Sequence, residues 1–567
     1  MSSLTDTSVI VVFSVFIMLI GFLFSRTGRN LKSFFAGGEA VPWFIGGLSL
    51  FMSFFSAGTF VAWGSIAYKY GWVAITIQWT MCIGGLVTGF FIAPLWKATG
   101  NLTAAEFIKE RLGINVQKCY IYIFMLVSIF IKASVLYSVA RLVGSSLGFP
   151  LVPTTLLLGV FMIAYTAVGG LWAVMVTDIL QFVILTAAVV IIIPLTFNAA
   201  GGFSGFIDKA PDGFFHVING EYSWGFILAF AMYHIFYIGG NWTFVQRYTS
   251  VGSPRSASKV AFLFAGLYIV SPVLWMLPPM IYQTINPGLT GLETENAYLM
   301  ICKQVLPAGL MGLMLTGMYF STSASANTAL NVVSAVFTND IYKSSINPAA
   351  SDSQLMKMAR GSSWVFGGCM IVIALVVPYI GGIVEVTLSI ASVTGGPLLA
   401  PPIWALVSKR LTGRATLYIT LISLLVNLFF KVLLPQIFDL KLDRAQEMML
   451  GVGLPFLMLA AYEAYAYFNQ LYSPEYTHYQ ALRAQRKEDA LEISAREAAE
   501  IKKQNRFGLK VIAFSLTFIA LLLFILSFLA TTSTTLVTGI AVLILASAYI
   551  PYHASRKARK ADEIPGN

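Results

Sequence analysis

Long apolar stretches, separated by short polar connections, follow one another along most of the 567-residue sequence. A helix needs roughly 20 mainly apolar residues to cross a bilayer. Fifteen stretches meet this requirement, with approximate limits at 6–25, 43–69, 72–96, 116–147, 152–169, 173–197, 223–247, 258–284, 298–339, 359–379, 382–408, 414–436, 446–468, 508–530 and 533–552. The stretch at 298–339 is too long for one span, so we expect a span plus a short outer helix there. The pattern predicts an all-α, polytopic protein with about 15 transmembrane helices in a lipid bilayer.

The composition excludes the main classes of soluble protein. Hydrophobic residues make up 57% of the chain and charged residues only 11%, whereas about a quarter of the residues of a soluble domain are charged. An ordinary globular enzyme, a disordered chain and a nucleic-acid-binding protein are therefore not expected. The sequence also has no HExxH motif, GxSxG motif, paired acid cluster or phosphate-binding loop, so we expect a protein that is not an enzyme.

The net charge is +11 at pH 7, and the distribution of the basic residues among the connections indicates which side of the membrane each connection occupies. Cytoplasmic connections carry an excess of Lys and Arg. Alternate connections, starting after the first span, collect most of the basic residues, among them Arg26, Arg29, Lys32, Lys97, Lys109, Arg111, Arg247, the segment 469–507 and the tail at 556–560. The main exceptions are Lys209, Lys441 and Arg444. This distribution predicts an external N-terminus and a cytoplasmic C-terminus in the plasma (inner) membrane.

The segment 469–507 is the one long charged stretch that has a helical pattern. Its acidic and basic residues alternate at helical spacing, which is typical of a solvated helix and less often marks a partner site. We therefore expect a solvated cytoplasmic helix.

Two spans contain residues that an uninterrupted membrane helix would avoid. The second reads GGLSLFMSFFSAGTFVAWGS and the seventh reads YHIFYIGGNWTFVQR, with His234, Gly239, Gly240 and Asn241 at its centre. Interrupted helices in corresponding positions of two halves indicate a transporter binding site, because unwound backbone offers carbonyls and amides to a solute or ion. Spans two to six and seven to eleven would then form the two halves.

The ninth span carries small and hydroxyl residues on one face. Ser321, Ala324, Ser325 and Thr328 are spaced at i, i+3, i+4 and i+7 in YFSTSASANTALNVVSAVF. Such a stripe allows close helix packing, and it equally provides oxygen ligands for a hard cation. The spacing alone leaves both interpretations open.

Three charged residues inside spans are functional candidates. Lys132 lies near the middle of its span, where it is either a functional cation or half of a structural ion pair. Asp178 lies just inside the cytoplasmic end of its span, where it can act on a solute or ion or extend to water. Arg141 points away from the face of Lys132, so we expect it to reach the interface or to pair, for example with Glu385.

The stretches FAGGEAVPWFIGGLSLFMSFFSAGTFV, YTAVGGLWAVMVTDILQF, GNWTFVQRYTS and SAVFTNDIYK resemble the sodium:solute symporter family over roughly residues 5–470. The resemblance implies a LeuT-type core of two inverted five-helix repeats, with one extra N-terminal helix and four extra C-terminal helices. It divides the chain into seven parts. These are an N-terminal helix and loop (1–42), the first repeat (43–197), an external loop (198–222), the second repeat (223–410), two further helices (411–468), the charged segment (469–507) and the last two helices with a basic tail (508–567).

The same resemblance implies a sodium site. Its ligands would be the backbone carbonyls of Met52, Phe55 and Ser321 and the hydroxyl of Ser325, with Ala324 where the family commonly has another hydroxyl. A second sodium ion, as in some relatives, would use Asp178, Asn327 and Thr328.

The substrate pocket is also implied by the resemblance. Its predicted positions are Phe54, Ser56, Thr59, Gln78, Lys132, His234 and Tyr268, with Tyr237 as a gate. Lys132 falls within one residue of the arginine with which sialic acid symporters hold a carboxylate. We therefore expect sodium-coupled symport of a small organic solute, an acidic sugar or carboxylate before a neutral sugar, by a protein for which a monomer suffices. Proton coupling through His234 and Asp178 is the alternative within this fold. The alternative outside the transporter class is a solute sensor that retains the transporter fold.

Overall fold

The computed structural model describes residues 4–25, 41–101, 103–165, 171–307, 309–489, 495–528 and 533–563, and at some positions within helices, including 323–325 and 327–329, it describes only the backbone. All the regular elements of the described residues are helical. In chain order they are α1 Leu4–Ser25, α2 Trp43–Ser53, α3 Gly64–Tyr70, α4 Val73–Thr99, α5 Ala104–Leu112, α6 Ile114–Leu147, α7 Leu151–Tyr165, α8 Leu171–Ala199, α9 Gly202–Asp208, α10 Trp224–Gly240, α11 Trp242–Thr249, α12 Pro254–Ile285, α13 Ala297–Val305, α14 Leu310–Val336, α15 Asp352–Val376, α16 Gly382–Val407, α17 Gly413–Phe438, α18 Arg444–Phe468, α19 Pro474–Asp489, α20 Ala495–Ser527 and α21 Thr534–Glu563.

Ten described helices are long and apolar enough to cross a membrane, and five shorter apolar helices accompany them. The all-α, multi-pass architecture is therefore confirmed, whereas the total of about 15 spans stays a prediction. The long stretch at 298–339 divides as expected into the short helix α13 and the span α14.

The second predicted span is interrupted between α2 and α3. Helix α2 ends at Ser53, and a π-helical turn, Thr59–Trp63, leads into α3. Side chains replace the helical hydrogen bonds here, because the Thr59 hydroxyl donates to the carbonyl of Phe54 over 3.2 Å and the backbone N–H of Gly58 donates to Ser56 Oγ over 3.1 Å. Short polar side chains that bond to nearby backbone favour such a break.

The seventh predicted span is interrupted between α10 and α11. Asn241 has an extended backbone, with φ −66° and ψ 127°, and its side chain accepts a hydrogen bond from the N–H of Thr243 over 3.0 Å. This is an N-cap, which satisfies a free donor at the start of α11. The interruption of both spans is as the sequence predicts.

The helices form two groups that meet along the interrupted elements. Helix α4 packs against α10 and α12, and α12 also packs against α2, while α6 packs against α7, α14 and α15. Helix α8 lies between the groups, because it contacts both α2 and α14. The antiparallel pair α20 and α21 packs outside this core, mainly on α8.

Most described residues of the charged segment are exposed or half-buried, but its first helix, α19, also docks on the bundle. It packs on α5, where the Tyr479 ring, only 5% exposed, meets Phe107 edge to face at 5.6 Å between centroids. The Arg111 guanidinium lies 5.1 Å from the Tyr476 ring centroid and donates to Ser473 Oγ over 3.5 Å. Aromatic residues near the start of the segment therefore dock it against the bundle, a role that its charge pattern does not reveal.

Candidate functional site

A cavity of about 130 Å³ lies beside both helix interruptions. Its wall is formed by residues from α2, α6, α8, α10, α11, α14 and α16 and by Asn241 between α10 and α11, namely Met52, Ser53, Tyr120, Phe124, Val127, Ser128, Ile131, Lys132, Asp178, Tyr233, Tyr237, Asn241, Trp242, Thr243, Phe244, Arg247, Ser321, Ile390, Thr394, Gly395, Leu398 and Leu399. Five of the predicted site residues thus surround one space: Met52, Lys132, Asp178, Tyr237 and Ser321.

Part of the predicted sodium site is assembled between α2 and α14. The Ser321 hydroxyl donates to the carbonyl oxygen of Phe55 over 2.8 Å, and Met52 lies one turn earlier in α2 with 2% of its surface exposed. These three residues place backbone oxygens of an unwound segment next to a helix that is rich in hydroxyl groups. Oxygens of both kinds are suitable ligands for a hard cation. The side chains of Ala324, Ser325, Asn327 and Thr328 lie outside the described residues, so the complete ligand set stays a prediction.

Asp178 belongs to a buried polar cluster that joins three helices. The Ser49 hydroxyl of α2 donates to Asp178 Oδ2 over 2.6 Å, and a terminal nitrogen of Arg247 in α11 lies 3.8 Å from the same oxygen. Arg247 Nε also donates to Ser49 Oγ over 3.3 Å. Asp178 and Arg247 are 5% and 3% exposed, so each charge depends on the other for compensation. The sequence places Arg247 only among the basic cytoplasmic connections, and no signal in it links Arg247 to Asp178.

Lys132 is half-buried in the cavity wall, near the gate candidate Tyr237. Tyr233 stacks on Tyr237 with centroids 5.2 Å apart and an interplanar angle of 18°. Phe54 meets the Tyr237 ring edge to face at 5.6 Å between centroids. The lysine thus faces a cavity that has an aromatic wall.

The remaining pocket candidates lie behind the cavity wall in this conformation. His234 Nδ1 and the Thr80 hydroxyl are 2.6 Å apart, and His234 is only 2% exposed between α10 and α4. Gln78 is 3% exposed, and its Nε2 has no hydrogen-bond partner among the described residues. Tyr268 is buried against Phe54, with ring centroids 6.3 Å apart. Ser56 and Thr59 lie in the unwound segment, where they bond to its backbone.

Arg141 forms an ion pair, as one of the two expectations had it, but the partner is Glu295, so the suggested partner Glu385 is wrong. Arg141 Nε lies 3.4 Å from Glu295 Oε2, and Arg141 also donates to the carbonyl of Leu292 over 2.7 Å. Glu385 pairs instead with Lys431 at 2.9 Å and with Arg444 at 3.1 Å. The reason is the fold, because the 3-10 turn Gly291–Asn296 passes next to α6.

The carbonyls freed at the second interruption are satisfied by two aromatic side chains. The indole N–H of Trp96 in α4 donates to the carbonyl of Gly239 over 2.7 Å. The Tyr248 hydroxyl of α11 donates to the carbonyl of Ile238 over 3.1 Å. Since an unsatisfied buried carbonyl destabilises a fold, these donors stabilise the broken conformation of the seventh span. Neither role is predicted from the sequence, because neither residue type marks such a role by itself.

Comparison with known proteins relates these features to transporters. The model of the sodium:solute symporter family matches residues 34–423. The sodium/glucose cotransporter of Vibrio parahaemolyticus is 26% identical over 469 residues, which cover 76% of this chain and 85% of that protein. The sodium/sialic acid symporter of Proteus mirabilis (strain HI4320) is 26% identical over 358 residues, which cover 60% of this chain and 72% of that protein.

Solved structures show the same fold. A sodium-coupled sialic acid symporter in a substrate-bound, outward-open state aligns with a TM-score of 0.67 and 20% identity, over 82% of this chain and 98% of that chain. A nucleobase-cation-symport-1 family transporter in a closed conformation aligns with a TM-score of 0.50 and 14% identity, over 80% of this chain and 99% of that chain. The fold is therefore LeuT-like. The protein is a multi-pass transporter and not an enzyme, its coupling ion is sodium, and the chain belongs to the sodium:solute symporter family.

Proposed function

We propose that this symporter carries a small organic anion, an acidic sugar or a carboxylate, together with sodium, and that Lys132 binds the anionic group. The observation that carries this proposal is the position of Lys132 in the wall of the cavity between the two interrupted helices. Charged side chains at membrane depth are rare, and those that face a cavity often mark a substrate pathway. An ammonium group there gives an anionic solute a direct electrostatic anchor.

The charges around the cavity support an anion. Its wall contains two cations, Lys132 and Arg247, and one acid, Asp178. The carboxylate of Asp178 already accepts the hydrogen bond of Ser49 and lies 3.8 Å from Arg247. Cations therefore outnumber acids among the residues that line the cavity, and Lys132 lies outside the cluster of Asp178 and Arg247.

The lining of the cavity, which measures about 130 Å³, supports a small, partly apolar solute. Tyr233, Tyr237 and Trp242 present aromatic rings along the wall. Such rings pack against the apolar faces of a sugar or a hydrocarbon group while their polar atoms remain available. A neutral sugar is the second candidate.

The proposed sodium site combines the carbonyls of Met52, Phe55 and Ser321 with the hydroxyl of Ser325. Its location between α2 and α14 supports coupling, because a bound ion would hold the unwound segment and so change the affinity of the adjacent cavity for solute. A second ion at Asp178, Asn327 and Thr328 is part of the proposal, although Arg247 competes for the charge of Asp178.

Alternating access is proposed between the repeats 43–197 and 223–410, with an external N-terminus and a cytoplasmic C-terminus in the plasma membrane. The cavity extends from Lys132 towards Tyr120, near the end of α6 that follows the basic connection. Arg141 and Glu295 hold the other end together. This arrangement fits a conformation that is closed on the external side.

The alternative of proton coupling gains no support from the position of His234, whose ring bonds with Thr80 away from the cavity. The sensor alternative would need an effect of solute on a partner without transport. Uptake measured in proteoliposomes distinguishes all three, because a sodium symporter accumulates solute with an inward sodium gradient, a proton symporter does so with an inward proton gradient, and a sensor accumulates none.

The first experiment measures the thermal stability of the purified protein with sugars, sugar acids, monocarboxylates and amino acids, each in sodium and in potassium. A ligand at about 100 times its Kd stabilises the fold by about 2.7 kcal/mol. We expect an acid to raise the Tm only in sodium, Lys132→Ala to abolish that increase and Lys132→Arg to retain part of it. Lys303→Ala, an exposed cation away from the cavity, is the matched control.

A neutral solute that stabilises wild type and Lys132→Ala equally would overturn the anion proposal and favour the neutral sugar. An increase in Tm that is identical in sodium and potassium would remove the support for sodium-dependent binding at this site.

A further inference from the structure

We propose that Thr322 is a positioning residue of the sodium site. Its side chain holds the unwound segment after α2 so that the Phe55 carbonyl faces α14. This inference rests on the proposed sodium site and goes beyond its ligands. Thr322 lies next to the predicted ligand Ser321 in α14, and its hydroxyl accepts a hydrogen bond from the backbone N–H of Ala57 over 2.9 Å.

The hydroxyl of Thr322 acts both as an acceptor and as a donor of hydrogen bonds. It accepts from Ala57 and donates to the carbonyl of Met318, one turn earlier in α14, over 2.8 Å. This second bond fixes the rotation of the hydroxyl group, so that its lone pairs are available to Ala57. Thr322 and Ala57 are both 0% exposed, and water therefore does not replace the contact.

Two consecutive residues of α14 hold the same short segment. Ser321 donates to the carbonyl of Phe55 over 2.8 Å, while Thr322 accepts from the N–H of Ala57 two residues later. Successive side chains of an α-helix point about 100° apart, so the two bonds approach the segment from different directions. One bond alone would leave the segment free to rotate, whereas both together fix the direction of the Phe55 carbonyl.

The hydrogen bond from Ala57 is important because the local helix is broken. The segment from Phe54 to Ser56 lies outside both α2 and the turn that follows. A buried N–H without a partner destabilises the conformation that contains it. Loss of the Thr322 hydroxyl therefore favours other backbone conformations of the segment, in which the Phe55 carbonyl no longer faces the proposed ion.

Thr322→Val tests the inference, because valine keeps the shape of threonine and removes the hydroxyl. Thr316→Val is the matched control, since Thr316 is also buried in α14 and its hydroxyl donates only within the helix, to Gly312 over 2.7 Å. Thr322→Ser keeps both hydrogen bonds and should restore the wild-type properties. If Thr322→Val does not fold, Thr322→Cys replaces it, because a thiol is only a weak acceptor.

The readouts are the sodium concentration that gives half-maximal thermal stabilisation and, in proteoliposomes, the apparent affinity for solute at saturating sodium. We expect Thr322→Val to raise the half-maximal sodium concentration on the order of tenfold, as for a lost buried hydrogen bond. Solute affinity at saturating sodium should change little, and Tm without sodium should fall somewhat further than in Thr316→Val, because only Thr322→Val leaves a buried N–H without its partner.

Sodium affinity of Thr322→Val equal to that of Thr316→Val would overturn the positioning role. Ser325→Ala separates this failure from failure of the sodium site itself. If Ser325→Ala loses sodium binding and Thr322→Val does not, the ligand proposal stands and the positioning role is wrong. If Ser325→Ala binds sodium normally, the proposed site is wrong and the positioning role is overturned with it.

Discussion

Arg141 Nε lies 3.4 Å from Glu295 Oε2. Arg141 is far along α6 from Tyr120, which lines the cavity. The helix rises about 30 Å between Tyr120 and Arg141. The same carboxylate accepts hydrogen bonds from the Tyr137 hydroxyl over 2.7 Å and from the N–H of Ile383 over 3.0 Å. One buried acid, only 3% exposed, thus joins α6 and the first turn of α16 to the 3-10 turn before α13. We call these residues the Glu295 cluster.

Weakening the Glu295 cluster should shift the transporter towards an outward-open state. Glu295→Gln removes the charge that compensates Arg141 while retaining some hydrogen bonding, and it leaves a buried cation poorly compensated. We expect Ser128→Cys, placed in the cavity of a variant that lacks native cysteines, to react severalfold faster with an external, membrane-impermeant thiol reagent when Glu295→Gln is present.

Glu463→Gln is the control for this measurement, because Glu463 also pairs with an arginine, Arg410, at 3.4 Å, but elsewhere in the fold. Equal labelling rates for the two variants would show that the Glu295 cluster does not limit external access.

The contribution of Asp178 to the free energy of unfolding should depend on the presence of Arg247, and the reverse. Arg247→Gln leaves a buried carboxylate uncompensated, and breaking a buried pair typically destabilises a protein by about 3–5 kcal/mol. Asp178→Asn together with Arg247→Gln should recover much of that loss, because no uncompensated charge remains. Chemical denaturation of Asp178→Asn, of Arg247→Gln and of the double variant in one detergent checks this, and additive effects of the two single changes would contradict the pairing.

Asp6 should stabilise the start of α14. Its carboxylate accepts hydrogen bonds from the N–H groups of Gly309 over 2.7 Å and Gly312 over 2.9 Å. A carboxylate at a helix N-terminus satisfies free donors and interacts favourably with the helix dipole. We expect Asp6→Ala to reduce the free energy of unfolding by about 1–3 kcal/mol and Asp6→Asn to reduce it less.

Asp443→Ala is a suitable comparison for Asp6→Ala, because Asp443 caps α18 through Gln446 at an exposed position. A smaller loss for Asp6→Ala than for Asp443→Ala would contradict the importance of burial at Asp6.

Arg111 should anchor the charged segment to the transporter. It is 0% exposed and donates to the carbonyls of Ser408 over 2.6 Å and Leu411 over 3.1 Å. Burial lowers the pKa of Arg111 and the nearby Glu475 partly offsets this effect. Arg111→Met should release α19 and increase the rate of limited proteolysis within 474–489, with Lys109→Met on the exposed face of α5 as control. An unchanged rate would show that the aromatic contacts are sufficient.

The residue types in the two interrupted spans predict where each span breaks, but they do not predict which side chains surround the breaks. Serines, threonine and glycines in the second span, and the Gly-Gly-Asn sequence of the seventh, predict unwound backbone because they offer local hydrogen bonds and conformational freedom. Trp96, Tyr248 and Thr322, which satisfy the freed backbone groups, lie on other helices or turns. Their roles depend on how the helices pack.

Sequence alone determined the helical, membrane-embedded character of this protein, because hydrocarbon requires long apolar spans with internally satisfied backbone. It also placed Lys132 at mid-span and the interruptions at corresponding positions. Only the tertiary structure decided that Arg141 pairs with Glu295 and that Asp178 pairs with Arg247. The reason is physical: spans that are apolar on all sides do not show which face is buried, so long-range charge pairs become definite only when the helices have packed.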